Sequence, residues 1–109
     1  MITSQMLKGV LEGCILNIIS KEETYGYEIS QKLKAMGFGE ISEGTIYPLL
    51  LRLIKNQLLN AVSKSSPSGP PRKYYSLTEK GKVECEAFKE NWKELKIAVD
   101  NLAGGVNNE

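Results

Sequence analysis

Cys85, Phe88, Trp92, Leu95, Val99 and Leu102 follow one another at spacings of 3, 4, 3, 4 and 3 residues, a pattern that places all six along one side of an α-helix. At 1.5 Å per residue such a helix would run for roughly 35 Å. A chain of 109 residues makes one domain with a small core and cannot cover a stripe of that length. The stripe therefore asks for a partner helix. Its outer faces can be laced by charges at helical spacing, the expected pairs being Lys80–Glu84, Lys82–Glu86, Glu86–Lys89 and Glu90–Lys93.

Ahead of this helix the sequence predicts three shorter ones. Leu7, Val10, Leu11, Cys14, Ile15 and Ile18 mark a first amphipathic helix over residues 6–20. Thr24 is the expected N-cap of a second, with Tyr25, Ile29, Leu33 and Met36 on one face before "GFG" ends it. "EIS" is short enough to be one extended pairing segment. Ile46, Leu49, Leu50, Leu53 and Ile54 give the face of a third helix that ends near Asn56.

That third helix contains Pro48. Proline is tolerated in the first turn, where its missing N–H has no intrahelical partner, so the helix should begin near Gly44 or Thr45. Its start then displays Ser42, Thr45 and Tyr47 beside free backbone N–H groups, a terminus suited to phosphate or a groove edge. Glu43 is expected to cap the helix. "LLNAVSK" and "RKYYSL" flank "SSPSGPP" and read as two strands of a hairpin with a long exposed tip. The expected fold is mainly α with a small β-hairpin: three helices and a hairpin over residues 1–77, the layout of a winged helix-turn-helix, then a dimerisation helix over 78–103 and a flexible tail over 104–109.

A net charge of +1 conceals an uneven distribution. From Gly44 to Thr78 stand five basic residues, Arg52, Lys55, Lys64, Arg72 and Lys73, with no acid, against nine basic and thirteen acidic residues elsewhere. The chain has no histidine and only two cysteines, Cys14 and Cys85, both on apolar stripes, so no metal site and no other cofactor is expected and the cysteines read as reduced core residues. No nucleophile elbow or glycine-rich phosphate loop supports catalysis. No run reaches the length of a membrane span, and a cytoplasmic location is expected.

"YGYEISQKL", "GFGEISEGTIYPLLLRLIKNQLL", "PPRKYYSLTEKGK" and the later Trp92, in that order, resemble the PadR family of bacterial transcriptional regulators. The resemblance runs from about Leu7 to Trp92. It implies a homodimeric winged-helix repressor, in a short form whose single C-terminal helix makes the dimer, released from DNA by a small aromatic or amphipathic effector. It also implies DNA-binding roles for Ser42, Thr45, Tyr47 and Pro48, and for the hairpin around Lys64, Arg72 and Lys73. The partner would be double-stranded DNA bearing a near-palindromic operator.

The residues leave some roles open. Tyr47 can pack beneath its helix or meet the groove; Tyr75, aligned with Leu77, reads as a wedge under the wing, and Tyr74 on the other face is freer to meet the sugar–phosphate backbone. One of Tyr25 and Tyr27 should pack and the other face outward. Trp92, with Phe88, Leu95 and Val99 along the seam, is either dimer core or the lining of a shared cavity for a flat effector. A winged helix can also serve as a protein-docking module without specific DNA binding. The acid-free stretch favours DNA.

Overall fold

The computed structural model describes residues 1–104, so the expected tail lies, apart from Gly104, outside the described residues. Helices α1 (Ser4–Leu7), α2 (Leu11–Lys21) and α3 (Gly26–Leu33) are followed by a π-helical turn, Lys34–Phe38, and by α4 (Glu43–Lys55). Strands β1 (Leu59–Ser66) and β2 (Gly69–Leu77) form an antiparallel ribbon, and α5 (Glu79–Ala103) closes the order. The expected fold class, mainly helical with one hairpin and a long last helix, is the observed one.

The first predicted helix is two. Gly9 takes φ 90° and separates α1 from α2. The predicted stripe also divides: Leu7, Leu11 and Ile15 enter the core, joined by Leu16 and Ile19 from outside the stripe, while Val10, Cys14 and Ile18 are only partly covered and form a second apolar face. Ile29 and Leu33 of α3, Ile41 ahead of α4, Ile46, Leu50 and Leu53 of α4, Leu58, Leu59, Tyr75 and Cys85 complete the core. Truncating one of its leucines or isoleucines to alanine should cost about 2–5 kcal/mol, because the cavity left behind adds to the lost transfer energy.

Thr24 is not the cap of α3; Tyr25 holds that position. The backbone of Thr24 is committed elsewhere, its N–H donating to Tyr75 O at 3.3 Å and its carbonyl accepting from Tyr75 N–H at 2.8 Å, while its hydroxyl donates to Glu28 Oε1. This bridge takes the pairing role expected of "EIS", which forms no strand. Ile41 is buried there all the same, its carbonyl accepting from Ser30 Oγ at 2.7 Å. Met36 leaves the predicted core face, because the π-helical turn rotates it into solvent.

Helix α4 begins at Glu43, earlier than Pro48 had suggested, and Pro48 is its sixth residue, in the second turn. An α-helical N–H at that position would bond the Gly44 carbonyl; proline removes the donor, and an exposed carbonyl near a helix start can turn to water. Ser42, and not Glu43, supplies the cap: its Oγ accepts from Thr45 N–H at 3.3 Å. Glu43 places its negative charge in the first turn, where the helix dipole favours it.

The ribbon is longer and its tip shorter than expected. Register runs from Leu59↔Leu77 through Lys64↔Arg72 to Ser66↔Gly69, leaving Pro67 and Ser68 to make the turn, with an irregularity between Lys64 and Ser66. Pro70 and Pro71 lie within β2. They stand at the register slip, where two residues of β2 face one of β1 and the ladder is interrupted, a place where a strand accommodates residues that have no N–H to donate.

Two glycines permit close approaches. A Cβ at Gly81 would lie 2.1 Å from Leu58 O, so only glycine lets the start of α5 rest on the end of the α4–β1 turn. There Thr78 caps α5, accepting from Gly81 N–H at 2.9 Å and donating to Gln57 O at 2.7 Å. A Cβ at Gly13 would lie 2.2–2.4 Å from the Phe88 ring, which packs directly on α2. Along α5, Glu86–Lys89 and Glu90–Lys93 pair as expected. Lys82 turns instead to Glu79, and Lys80 reaches back to Asn56 O at 3.2 Å, because the carbonyls ending α4 lie beside the start of α5.

Candidate nucleic-acid interface

The fold brings the start of α4 and the ribbon together at one cleft of about 310 Å³. Glu43 and Tyr47 come from α4, Tyr25 and Tyr27 from the start of α3, Arg72 and Lys73 from β2. Tyr47 is 49% exposed, so its ring is not in the core. Ser42, Thr45 and Pro48 are also exposed, although the Ser42 hydroxyl is engaged by Thr45. Of the two early tyrosines, Tyr25 packs and Tyr27 faces outward.

The acid-free stretch is not acid-free in space. Arg52 donates through Nε to Glu12 Oε2 at 2.7 Å, with Nη2 at 2.6 Å from the same oxygen. Lys64 Nζ lies 2.7 Å from Glu23 Oε1. Sequence separation hides both pairs, since the acids belong to α2 and the α2–α3 turn. Among the described residues, Lys55, Arg72 and Lys73 form no ion pair, so they are the cations of this stretch free to meet an anion.

Tyr75 is the wedge expected: it is buried, and burial pushes its phenol pKa upward, with Tyr47 contributing in the same direction. Tyr74 is less free than expected. Its ring lies 5.2 Å from that of Tyr25 at 60°, with Lys64 Nζ 5.1 Å from its centroid, and neither Tyr74 nor Lys64 lines the cleft. Leu51 was missed. It is 46% exposed and shares the outward side of α4 with Gly44, Thr45, Pro48 and Lys55. Its phase, one residue after Leu50 and two before Leu53, is the signal that separates it from the buried leucines.

A second concavity, of about 890 Å³, opens between α2 and α5 and is lined by Val10, Cys14, Ile18, Met36, Phe88 and Trp92, among others. The second apolar face of α2 is thereby explained. Cys14 and Cys85 are free thiols; Cys85 is in the core, but Cys14 sits half-buried at this concavity, where desolvation raises its pKa. Phe88 is half-buried against Gly13, whereas Trp92, Leu95, Val99 and Leu102 are exposed. From Lys89 to Ala103 only Asp100, paired with Lys96, is other than exposed.

Among the described residues, no helix is long and apolar enough to cross a membrane. Residues 15–87 match the model of the transcriptional regulator PadR-like family. A PadR-like transcriptional regulator from Bacillus cereus is 56% identical, its structure superposing with a TM-score of 0.83 over 94% of this chain and 100% of that one. A Streptococcus transcriptional regulator is 46% identical, with a TM-score of 0.81 over 93% of this chain and 99% of that one. Bacillus subtilis PadR, solved in complex with operator DNA, is 28% identical with a TM-score of 0.67, the match covering 72% of this chain and 46% of that one. A winged-helix architecture joined to a match over residues 15–87 establishes that the chain belongs to the PadR-like family of transcriptional regulators.

Proposed function

We propose that the protein is a sequence-specific DNA-binding regulator that acts as a homodimer in the cytoplasm, represses its target, and is released by a small aromatic or amphipathic effector. The observation that carries DNA binding is the cleft in which the exposed start of α4 and the unpaired Arg72 and Lys73 share one face. Thr45, Tyr47 and Pro48, with Ser42 at the cap, would enter the major groove, and the ribbon would reach flanking phosphates. Apart from Arg52, held by Glu12, and Lys55 in the last turn, the outward side of α4 offers no long cationic or amide side chain to a base edge. Pro48 and Leu51 instead present apolar surface, for which the thymine methyl is the matching group in that groove.

Dimerisation is supported by the uncovered stripe from Trp92 to Leu102, which a second α5 would cover and which a free monomer would leave in water. Two protomers so joined would present their α4 helices to successive major grooves about 34 Å apart on a near-palindromic operator. The effector reading rests on the apolar concavity beside Trp92, where a flat ring could stack.

The test is binding to the DNA immediately upstream of the protein's own gene, measured by anisotropy across salt concentrations. With about three phosphates neutralised per protomer, log K against log salt should slope near −5 for the dimer. Arg72→Ala with Lys73→Ala should weaken all sequences alike and flatten the slope. An unchanged slope removes the ribbon from the interface, and absence of any preferred fragment in low salt leaves the protein-docking alternative.

A further inference from the structure

The α2–α3 turn and the ribbon are joined by a series of cation–ring, ring–ring and ion-pair contacts that runs from Arg72 of the ribbon to Glu23 of the turn. The Arg72 guanidinium carbon lies 4.4 Å from the Tyr25 ring centroid. The far partner of Tyr25 is the Tyr74 ring, at 5.2 Å, and Tyr74 in turn carries Lys64 Nζ at 5.1 Å. Lys64 ends the series on Glu23, two residues before Tyr25. A two-stranded ribbon is marginal alone, and apart from the Thr24–Tyr75 bridge its outer half gains its lateral support from these contacts.

We propose that Tyr25 is a positioning residue that holds the Arg72 guanidinium, by stacking, in the pose from which it meets the DNA backbone. This rests on the DNA-binding reading above. An arginine on an exposed strand samples many rotamers, and fixing it on phosphate alone costs conformational entropy. The ring face supplies a preformed seat: its quadrupole attracts the cation, and the planar guanidinium stacks while its N–H groups stay free at the edge. Tyr25 itself is fixed, because it is the cap residue of α3 and its neighbour Thr24 is locked to Tyr75 by two backbone hydrogen bonds. The phenol oxygen has no part in this, so phenylalanine should serve as well and an aliphatic side chain should not.

The experiment measures binding to the upstream fragment across a salt series for the parental chain, Tyr25→Phe, Tyr25→Leu, Arg72→Ala and the Tyr25→Leu/Arg72→Ala pair, each checked for its melting curve. Parental binding tests the DNA reading; the variants test this one. Tyr25→Phe should match the parent. Tyr25→Leu should weaken binding about threefold per protomer, hence about tenfold per dimer, the scale of an exposed cation–π contact. It should also flatten the salt slope by up to about 1.8, one phosphate contact per protomer. The double variant should be no weaker than Arg72→Ala alone. A merely structural loss would lower the competent fraction equally at every salt concentration and leave the slope intact; that result, parental affinity in Tyr25→Leu, or simple additivity in the pair overturns the proposal. Independently of any variant's folding, the Arg72 side-chain protons of the free parental protein should show the upfield ring-current shift of a seated guanidinium, and their absence would overturn it too.

Discussion

Gly13→Ala offers a test in which the sign of a stability change, and not only its size, is set by one contact. An ideal Cβ at residue 13 would lie 2.2 Å from Phe88 Cδ1 and 2.4 Å from both Cε1 and Cγ. Carbon atoms at rest sit about 3.5–4.0 Å apart, so the ring must retreat by more than about 1 Å. Rotation about χ2 cannot achieve this, because Cγ lies on the rotation axis and is itself among the clashing atoms. Either Phe88 leaves its rotamer or α5 moves off α2, and overpacking of this kind costs about 1–3 kcal/mol. Against it stands the gain of about 1 kcal/mol for replacing glycine by alanine within a helix. The parental background should therefore show a net loss of up to about 2 kcal/mol. In a Phe88→Ala background the obstruction is gone, and the same substitution should stabilise by roughly 0.5–1 kcal/mol. Denaturant titrations followed by far-UV circular dichroism, at one fixed protein concentration, would give the four free energies. Equal effects of Gly13→Ala in both backgrounds would refute the contact, and with it the idea that α2 and α5 are set at a separation only glycine allows.

Gln57 is the one non-glycine residue with positive φ, at 64°, among those described, and it ends α4 with Leu58 N–H donating to Leu53 O at 2.9 Å. Gln57→Gly should raise stability by about 0.5–1 kcal/mol, the relief of the left-handed strain less the entropy glycine adds to the unfolded chain, and a lower denaturation midpoint would contradict this. Burial raises the Tyr75 pKa in the folded state above its ordinary value of 10.0, so its contribution to stability is complete below that pH and is lost as pH rises through the higher folded value. Tyr75→Phe should accordingly lose less stability between pH 9 and 11 than the parent, by roughly the share one tyrosine contributes. Replacing thymine by deoxyuridine at operator positions facing α4 removes only a methyl group; it should weaken the parental protein severalfold and leave Leu51→Ala almost unaffected, and equal losses in both would remove Leu51 from base recognition.

The phase of α4, the ribbon and the apolar period of α5 were legible because each is a local repeat: Ile46, Leu50 and Leu53 are buried as their spacing requires, and the stripe on α5 lies along one continuous helix as its period puts it. What escaped depends on residues far apart in the chain. Thr24 looks like a cap by its neighbours, yet its backbone is spoken for by Tyr75. Arg52 and Lys64 stand in a stretch without acids, yet Glu12 and Glu23 reach them across the fold. Nothing in the residues beside Gly13 and Gly81 sets them apart, and only the crossing of a second element reveals why they carry no side chain. Pro70 and Pro71 argued against a strand by propensity, which describes central strands better than the edges where prolines are accommodated.

An outstretched two-stranded ribbon is also an open template, since its outer margins carry backbone groups to which another chain could add itself. On β2 that margin is blunted at both ends. Near the body of the protein Thr24 already occupies the hydrogen-bonding positions of Tyr75, and near the tip neither Pro70 nor Pro71 has an N–H to offer. Between them the outer margin retains Lys73, whose charge repels a like ribbon as readily as it would attract a phosphate. The same short stretch is thereby left open to solvent yet inhospitable to a neighbouring strand, which guards an outstretched ribbon against fibrous self-association.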